Sequence, residues 1–406
     1  MEHDEFDGQF TRSVSIGSAD IVWSLDSAAP RLAQALEAAS PWVRKTYDSL
    51  KTGMFVGTTC RTFNAGAFFR PAGHYRAFYM RGADDGVLGI KGTEVFATDV
   101  HEMLVGIKHI RHTRNDKKHS HIEHLPIIEQ KVPMALLVDE ALPEAIKAQA
   151  FQTAHLERYG ELAAVPVPLI VVKWPDPVVA TFREMLMPML SERAAALVDQ
   201  RLVSGLSAYV YHYRSLPLRA LHIDAAIDSK QPSHDGYRHR LAALEGRTDA
   251  RQVLTDWVAL VARMFALGYM PCTHALHETG QCLRSNNAVV DGGFVDLDSL
   301  QLMSTIKSDE EFAETLFVTL HELTDTVMTF ALGSGLAKSN VGPSSLAISH
   351  HVYALVRDEL RSAIDEEAAR GVEFDPRLMS LLRHDGLFSG LDHVLGALFP
   401  PAPSRT

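Results

Sequence analysis

The chain of 406 residues is long enough to bury a large core and to divide into two lobes, and its 46% hydrophobic and 22% charged residues are those of an ordinary globular protein. A formal net charge of -11 argues against nucleic acid and anionic membranes as partners and favours a small molecule or another protein. Cys60, Cys272 and Cys282 are too few and too scattered for a disulfide framework or a four-thiolate zinc site, so they read as reduced thiols. The opening MEHDEFDGQF is acidic where a secretory signal is basic and then apolar, and no stretch of about 18 uncharged apolar residues follows. A soluble, cytoplasmic protein is expected.

From Met54 to Val95 the segments MFVGTTCRTF, AFFRP, YRAFYMRG and VLGIKGTEVF are β-branched and aromatic and are separated by the turn signals NAG, PAG and ADDG. They predict an antiparallel meander. A helical pattern follows at about Asp99 to His112, and VPLIVVKWP at Val167 to Pro175 predicts a buried strand closed by the proline. Beyond it, apolar residues recur at helical spacing in Pro177 to Leu202, Asp249 to Leu267, Asp309 to Leu332, Ser344 to Arg370 and Pro376 to Leu382. The expected plan is α+β: a strand-rich N-terminal lobe over 1–174, a helical C-terminal lobe over 175–400 and a short tail at 401–406.

Between two of these helices lies NNAVVDGGFVDLDS. AVV and FVDL flank a DGG turn and predict a hairpin that brings Asn287, before its first strand, towards Asp296, at the end of its second. Asn and Asp at such ends also satisfy backbone groups in ordinary turns. An amide oxygen and a carboxylate converging there, however, form a hard-oxygen site suited to Mg²⁺ carrying nucleotide phosphates. Asp298 is two residues further along an extended chain and shares a face with Asp296, where it would be a second metal ligand or a base. Upstream, Lys91 stands in a strand and Glu102 in the helical pattern that follows, so a lysine for the phosphates of ATP and a glutamate to orient it are both available.

These residues resemble the protein-kinase-like fold, and within it the selenoprotein O branch. LVARMFALGY at Leu260 to Tyr269 resembles that family's helix ending, Asp296 follows Asn287 by nine positions as its metal-binding aspartate does, and IKGTE at Ile90 to Glu94 resembles its Lys-Gly strand. The resemblance implies a two-lobed fold that binds ATP and Mg²⁺ through Lys91, Glu102, Asn287 and Asp296. Ordinary kinases carry an aspartate five residues before the metal-binding asparagine, where this chain has Cys282; the selenoprotein O pattern has one immediately before it, where this chain has Asn286. The usual base is therefore replaced, because an amide is no useful proton acceptor at neutral pH. Transfer of AMP, which the resemblance implies, fits that loss better than transfer of a phosphoryl group. Two alternatives stay open: a pseudokinase scaffold that regulates a partner, and an ATP-driven ligase acting through an acyl-adenylate.

Three further features of the chain have plainer readings. The segment His101 to His124 contains six histidines whose spacing fits no standard zinc pattern, and a substrate- or phosphate-contacting loop suits its charge better. HELTD at His321 to Asp325 lacks the second histidine of a metalloprotease helix and reads as helix surface. Cys282 stands out as a loop cysteine without an evident histidine and acid partner.

Overall fold

The computed structural model describes residues 14–15, 19–51, 55–56, 68–69, 77–81, 86–92, 132, 135–215, 217, 219–220, 250–274, 282–285, 287–333 and 345–383. The architecture mixes helices with small antiparallel sheets, and the chain divides into two compact units. The first takes Met1–Thr153 and Pro166–Leu216, the second Ala154–Val165 and Pro217–Thr406. Residue 174, where strand patterning gives way to helical patterning, lies inside the first unit. Among the described residues no helix is long and apolar enough to cross a membrane.

In the first unit β1 (Val14–Ser15), β2 (Asp20–Ser24), α1 (Leu25–Ala28), α2 (Pro30–Ala39) and α3 (Pro41–Lys51) precede the predicted strands. Prolines open α2 and α3, where a missing N–H costs nothing and the fixed φ suits a helix start. Leu32 and Leu36 recur at i, i+4 on the buried side of α2, and Leu25, Leu36 and Val43 gather near Leu169. Arg44 of α3 donates to Asp26 of α1 at 2.7 Å.

Next come β3 (Phe55–Val56), β4 (Phe68–Phe69), β5 (Ala77–Arg81), β6 (Val87–Lys91), α4 (Val138–Tyr159), β7 (Val167–Lys173), α5 (Asp176–Leu186), α6 (Glu192–Arg201) and β8 (Ser207–Tyr213). Strands β4, β5 and β6 form the expected meander inside a six-stranded sheet of order β2-β7-β8-β6-β5-β4, antiparallel throughout. The strand at Phe55–Val56 does not join it and pairs with Val14–Ser15 instead. Strand β7 is buried along all but its last residue, as the run VPLIVV predicts, and β8 is buried throughout. Pro168 is tolerated inside the sheet because the β7–β8 register shifts there, leaving Leu169 as the extra residue of a bulge.

The predicted helix from Pro177 to Leu202 is two helices. Pro188 sits in the 3₁₀ turn Met187–Met189 that ends the first, and Ser191 starts the second by accepting a hydrogen bond from the Ala194 N–H at 3.3 Å.

The second unit contains α7 (Ala250–Ala266), β9 (Tyr269–Met270), β10 (Ala288–Val289), β11 (Gly293–Phe294), β12 (Gln301–Leu302), α8 (Asp309–Gly333), α9 (Ser345–Ala369) and α10 (Pro376–Arg383). The four long helical predictions hold to within a residue or two, because each carries a continuous apolar stripe. Helix α7 packs on α9, and α8 packs on α9 and α10. Trp257 of α7 meets Phe330 of α8 edge to face, 5.1 Å between centroids. Arg377 of α10 donates to the carbonyls of Met303 and Ile306, pairs with Asp375 at 2.8 Å and lies 4.2 Å above the ring of Phe312.

Candidate functional site

Lys91 ends β6 with its side chain 11% exposed, and its ammonium is 2.5 Å from the carboxylate of Glu144, which is 4% exposed. Glu144 comes from α4, 53 residues along the chain. Among the described residues the glutamate beside the lysine is Glu144, which the sequence reading did not single out. Glu102, expected in that role, lies outside the described residues, as do Asn286, the helical pattern at Asp99 to His112 and the segment His101 to His124.

The position of Glu144 follows from how α4 begins. The Ser207 N–H donates to the Leu136 carbonyl at 2.8 Å and the Val138 N–H to the Gly205 carbonyl at 3.0 Å, so the entry to the helix is stitched to the start of β8. Asp139 and Glu140 occupy the first turn, where the helix dipole favours negative charge, and Glu140 also pairs with Arg201 at 2.8 Å. The buried face beyond starts with small residues, Ala141, Ala145 and Ala148, and continues with Phe151, Gln152 and His155. Glu144 is the one charged residue on this face, and a carboxylate is stable there because Lys91 neutralises it.

In the second unit β10 and β11 form the predicted hairpin, with Ala288 opposite Phe294 and Val289 opposite Gly293. Its turn closes through the Gly292 N–H to the Val289 carbonyl at 3.0 Å, with Gly292 at φ 89°. That left-handed conformation is why glycine belongs there, and a Cβ on Gly292 would also stand 2.5 Å from the Asp256 Cβ. The Trp257 indole N–H lies between both strands, 2.9 Å from the Val289 carbonyl and 3.2 Å from that of Gly293.

Asn287 is 2% exposed, and its carbonyl accepts from the Val295 N–H at 2.9 Å, which places Asp296 one residue past its cross-strand neighbour. Carboxylate oxygens of Asp296 and Asp298 lie within 4.8 Å of each other. Both are partly exposed. The two carboxylates offer hard oxygen donors, which suit a hard cation such as Mg²⁺ better than a softer transition metal.

The turn that leads into Asn287 has its own support. Arg284 offers its carbonyl to the N–H groups of Asn287 and Ala288 at 2.7 and 2.9 Å, and its guanidinium meets Glu322 at 3.3 Å. Burial raises the Glu322 carboxyl pKa, and Arg284 opposes that shift. Thr326 donates to the Leu283 carbonyl at 2.5 Å. The HELTD segment of α8 is thus a brace for the loop: Glu322 is its buried, load-sharing member, and His321 stacks on Phe317 at 6.4 Å.

Cys282 is fully buried, and the Ser299 hydroxyl ties its backbone by accepting from the Cys282 N–H and donating to the Pro271 carbonyl, both at 2.6 Å. Cys272 is buried as well, and desolvation pushes its thiol up to about 12, far from a reactive thiolate. No known protein family and no curated protein matches this chain.

Proposed function

We propose that the protein is an ATP-dependent transferase on a two-lobed, kinase-like scaffold, moving AMP or a phosphoryl group to a protein or small-molecule acceptor. The observation that carries the reading is the buried Lys91–Glu144 pair, a strand lysine held by a helix glutamate, which is the combination kinase-type sites use on nucleotide phosphates. In this reading Lys91 meets the phosphates and Asn287 and Asp296 would hold Mg²⁺, with Asp298 beside Asp296 as a further ligand or a base. Mg²⁺ would supply charge neutralisation for the phosphates.

Incubation with α-labelled and γ-labelled ATP, followed by intact mass and small-molecule chromatography, distinguishes AMP from phosphoryl transfer. Asp296→Ala is expected to abolish Mg-dependent ATP binding with the circular dichroism and melting curve retained. Equal affinity in mutant and parent would overturn the reading.

A nucleotide-binding scaffold without turnover is the second reading. It is favoured by the burial of Cys282, the residue that the resemblance aligns with an ordinary kinase's catalytic aspartate. Thermal stabilisation by Mg·ATP without any labelled product would select it.

A further inference from the structure

Lys91 has more around it than a carboxylate. Antiparallel pairing sets Lys91 opposite Tyr209 and Gly89 opposite both Tyr211 and Tyr79, so with side chains alternating along each strand all of these belong to one face of the sheet. Tyr79, Tyr209 and Tyr211 are fully buried. The Lys91 ammonium lies 5.8 Å from the centroid of the Tyr209 ring and 5.7 Å from that of Tyr211, inside the roughly 6 Å range in which a π face attracts a cation.

The rings are fixed in place. Tyr209 and Tyr211 are 5.3 Å apart, Tyr79 meets Tyr211 edge-on, and the hydroxyls of Tyr79 and Tyr211 share a hydrogen bond of 3.0 Å. Tyr211 reaches its place only because residue 89 is glycine, since a Cβ there would collide with the ring. A lysine that needed only neutralising would be served by Glu144 alone. Two aromatic faces add negative potential without adding formal charge, so they steady the ammonium while leaving the ion pair electrically balanced.

We infer that Tyr209 and Tyr211 are positioning residues that hold the Lys91 ammonium in an aromatic half-cage and so set its approach to a nucleotide phosphate. The role in nucleotide binding rests on the function proposed above, whereas the half-cage itself can be read independently of it.

The test replaces Tyr211, and separately Tyr209, by phenylalanine and then by phenylalanines of increasing fluorination, which drain the π face with little change of volume. Phenylalanine should bind Mg·ATP nearly as the parent does, and affinity should then fall with each added fluorine, by about 2- to 30-fold across the series. In parallel, protein labelled with ¹³C at the lysine ε carbon gives a Lys91 signal, assigned by its loss in Lys91→Arg. Ring currents should place its ε protons upfield of the other lysines, and Tyr211→Leu should release them while Tyr211→Phe does not. A Lys91 signal at the ordinary lysine position, or an affinity indifferent to fluorination in a protein that binds Mg·ATP, overturns the inference and leaves the nucleotide reading standing. An upfield Lys91 signal in a protein that binds no Mg·ATP overturns the nucleotide reading and the positioning role with it.

Discussion

The hairpin from Asn287 to Asp296 closes between neighbours along the chain and is only braced from farther off, by Trp257 and the Ala164 carbonyl, whereas the surroundings of Lys91 are collected from far away: Glu144 lies 53 residues on and the tyrosines of β8 further still. The hairpin depends on one turn with a glycine at φ 89° and on an indole behind it. The lysine depends on a buried charge partner, an opposed strand and a glycine that makes room for a ring. Local construction can be damaged at one residue and the loss stays small. A buried ion pair shares its cost between two residues, and removing either leaves the other exposed to a low-dielectric interior.

The largest expected effect follows from that difference. Glu144→Ala should destabilise the first unit by about 3–5 kcal/mol, because it strands the Lys91 ammonium where little water reaches it. The double change Lys91→Met with Glu144→Leu should recover most of that loss, as read by denaturant melts of the two variants beside the parent. If the double variant is no more stable than Glu144→Ala, the pair is not what makes this part of the molecule long-range in character.

The hairpin should respond less. Gly292→Ala puts a side chain into the left-handed region and against Asp256, and roughly 1–3 kcal/mol is expected from the strained backbone. Amide exchange should speed up for Ala288 to Phe294 and stay slow in the sheet of the first unit. Equal acceleration in both would erase the contrast between them.

The smallest effect concerns His155 near the end of α4. Its ring is buried, its Nδ1 is 2.9 Å from the Glu161 carbonyl, and its Nε2 faces Arg263 at 3.5 Å. Burial lowers its pKa below the ordinary 6.5; the hydrogen bond to Glu161 opposes this, and the Arg263 charge adds to it. Below pH 6.5 the unfolded chain therefore binds a proton that the folded chain resists, and stability should decline as pH falls through that value. Thermal melts between pH 5 and pH 8 (about the range in which histidine titrates) should show a shallower decline in His155→Gln than in the parent. Identical slopes would remove His155 from the account.

How much of this the sequence discloses follows the same division. The hairpin is legible in AVVDGGFVDL because turn chemistry and alternation are local signals, and the helices of the second unit are legible because their apolar stripes run unbroken. Strand β8 carries ample aromatic residues in SAYVYHY, a usable signal, but its burial on both sides hides any alternation. Helix α4 is masked by Pro143, which interrupts an otherwise good helical pattern. Glu144 follows that proline directly, and its pairing with Lys91 is a fact of tertiary contact that no local period records. The tyrosines around Lys91 are hidden for the same reason, since only the strand register brings Tyr209 opposite it.

The indole of Trp257 does more than fill space behind the hairpin. A single N–H shared between carbonyls on two strands links the resonance of that proton to whether the strands are closed, so the side chain works as a built-in gauge. The chain has four tryptophans, hence four indole signals in a nitrogen–proton spectrum, and this one should exchange with solvent only when β10 and β11 part. The opening rate of the loop that carries Asn287 and Asp296 can thus be followed without any added label or any ligand.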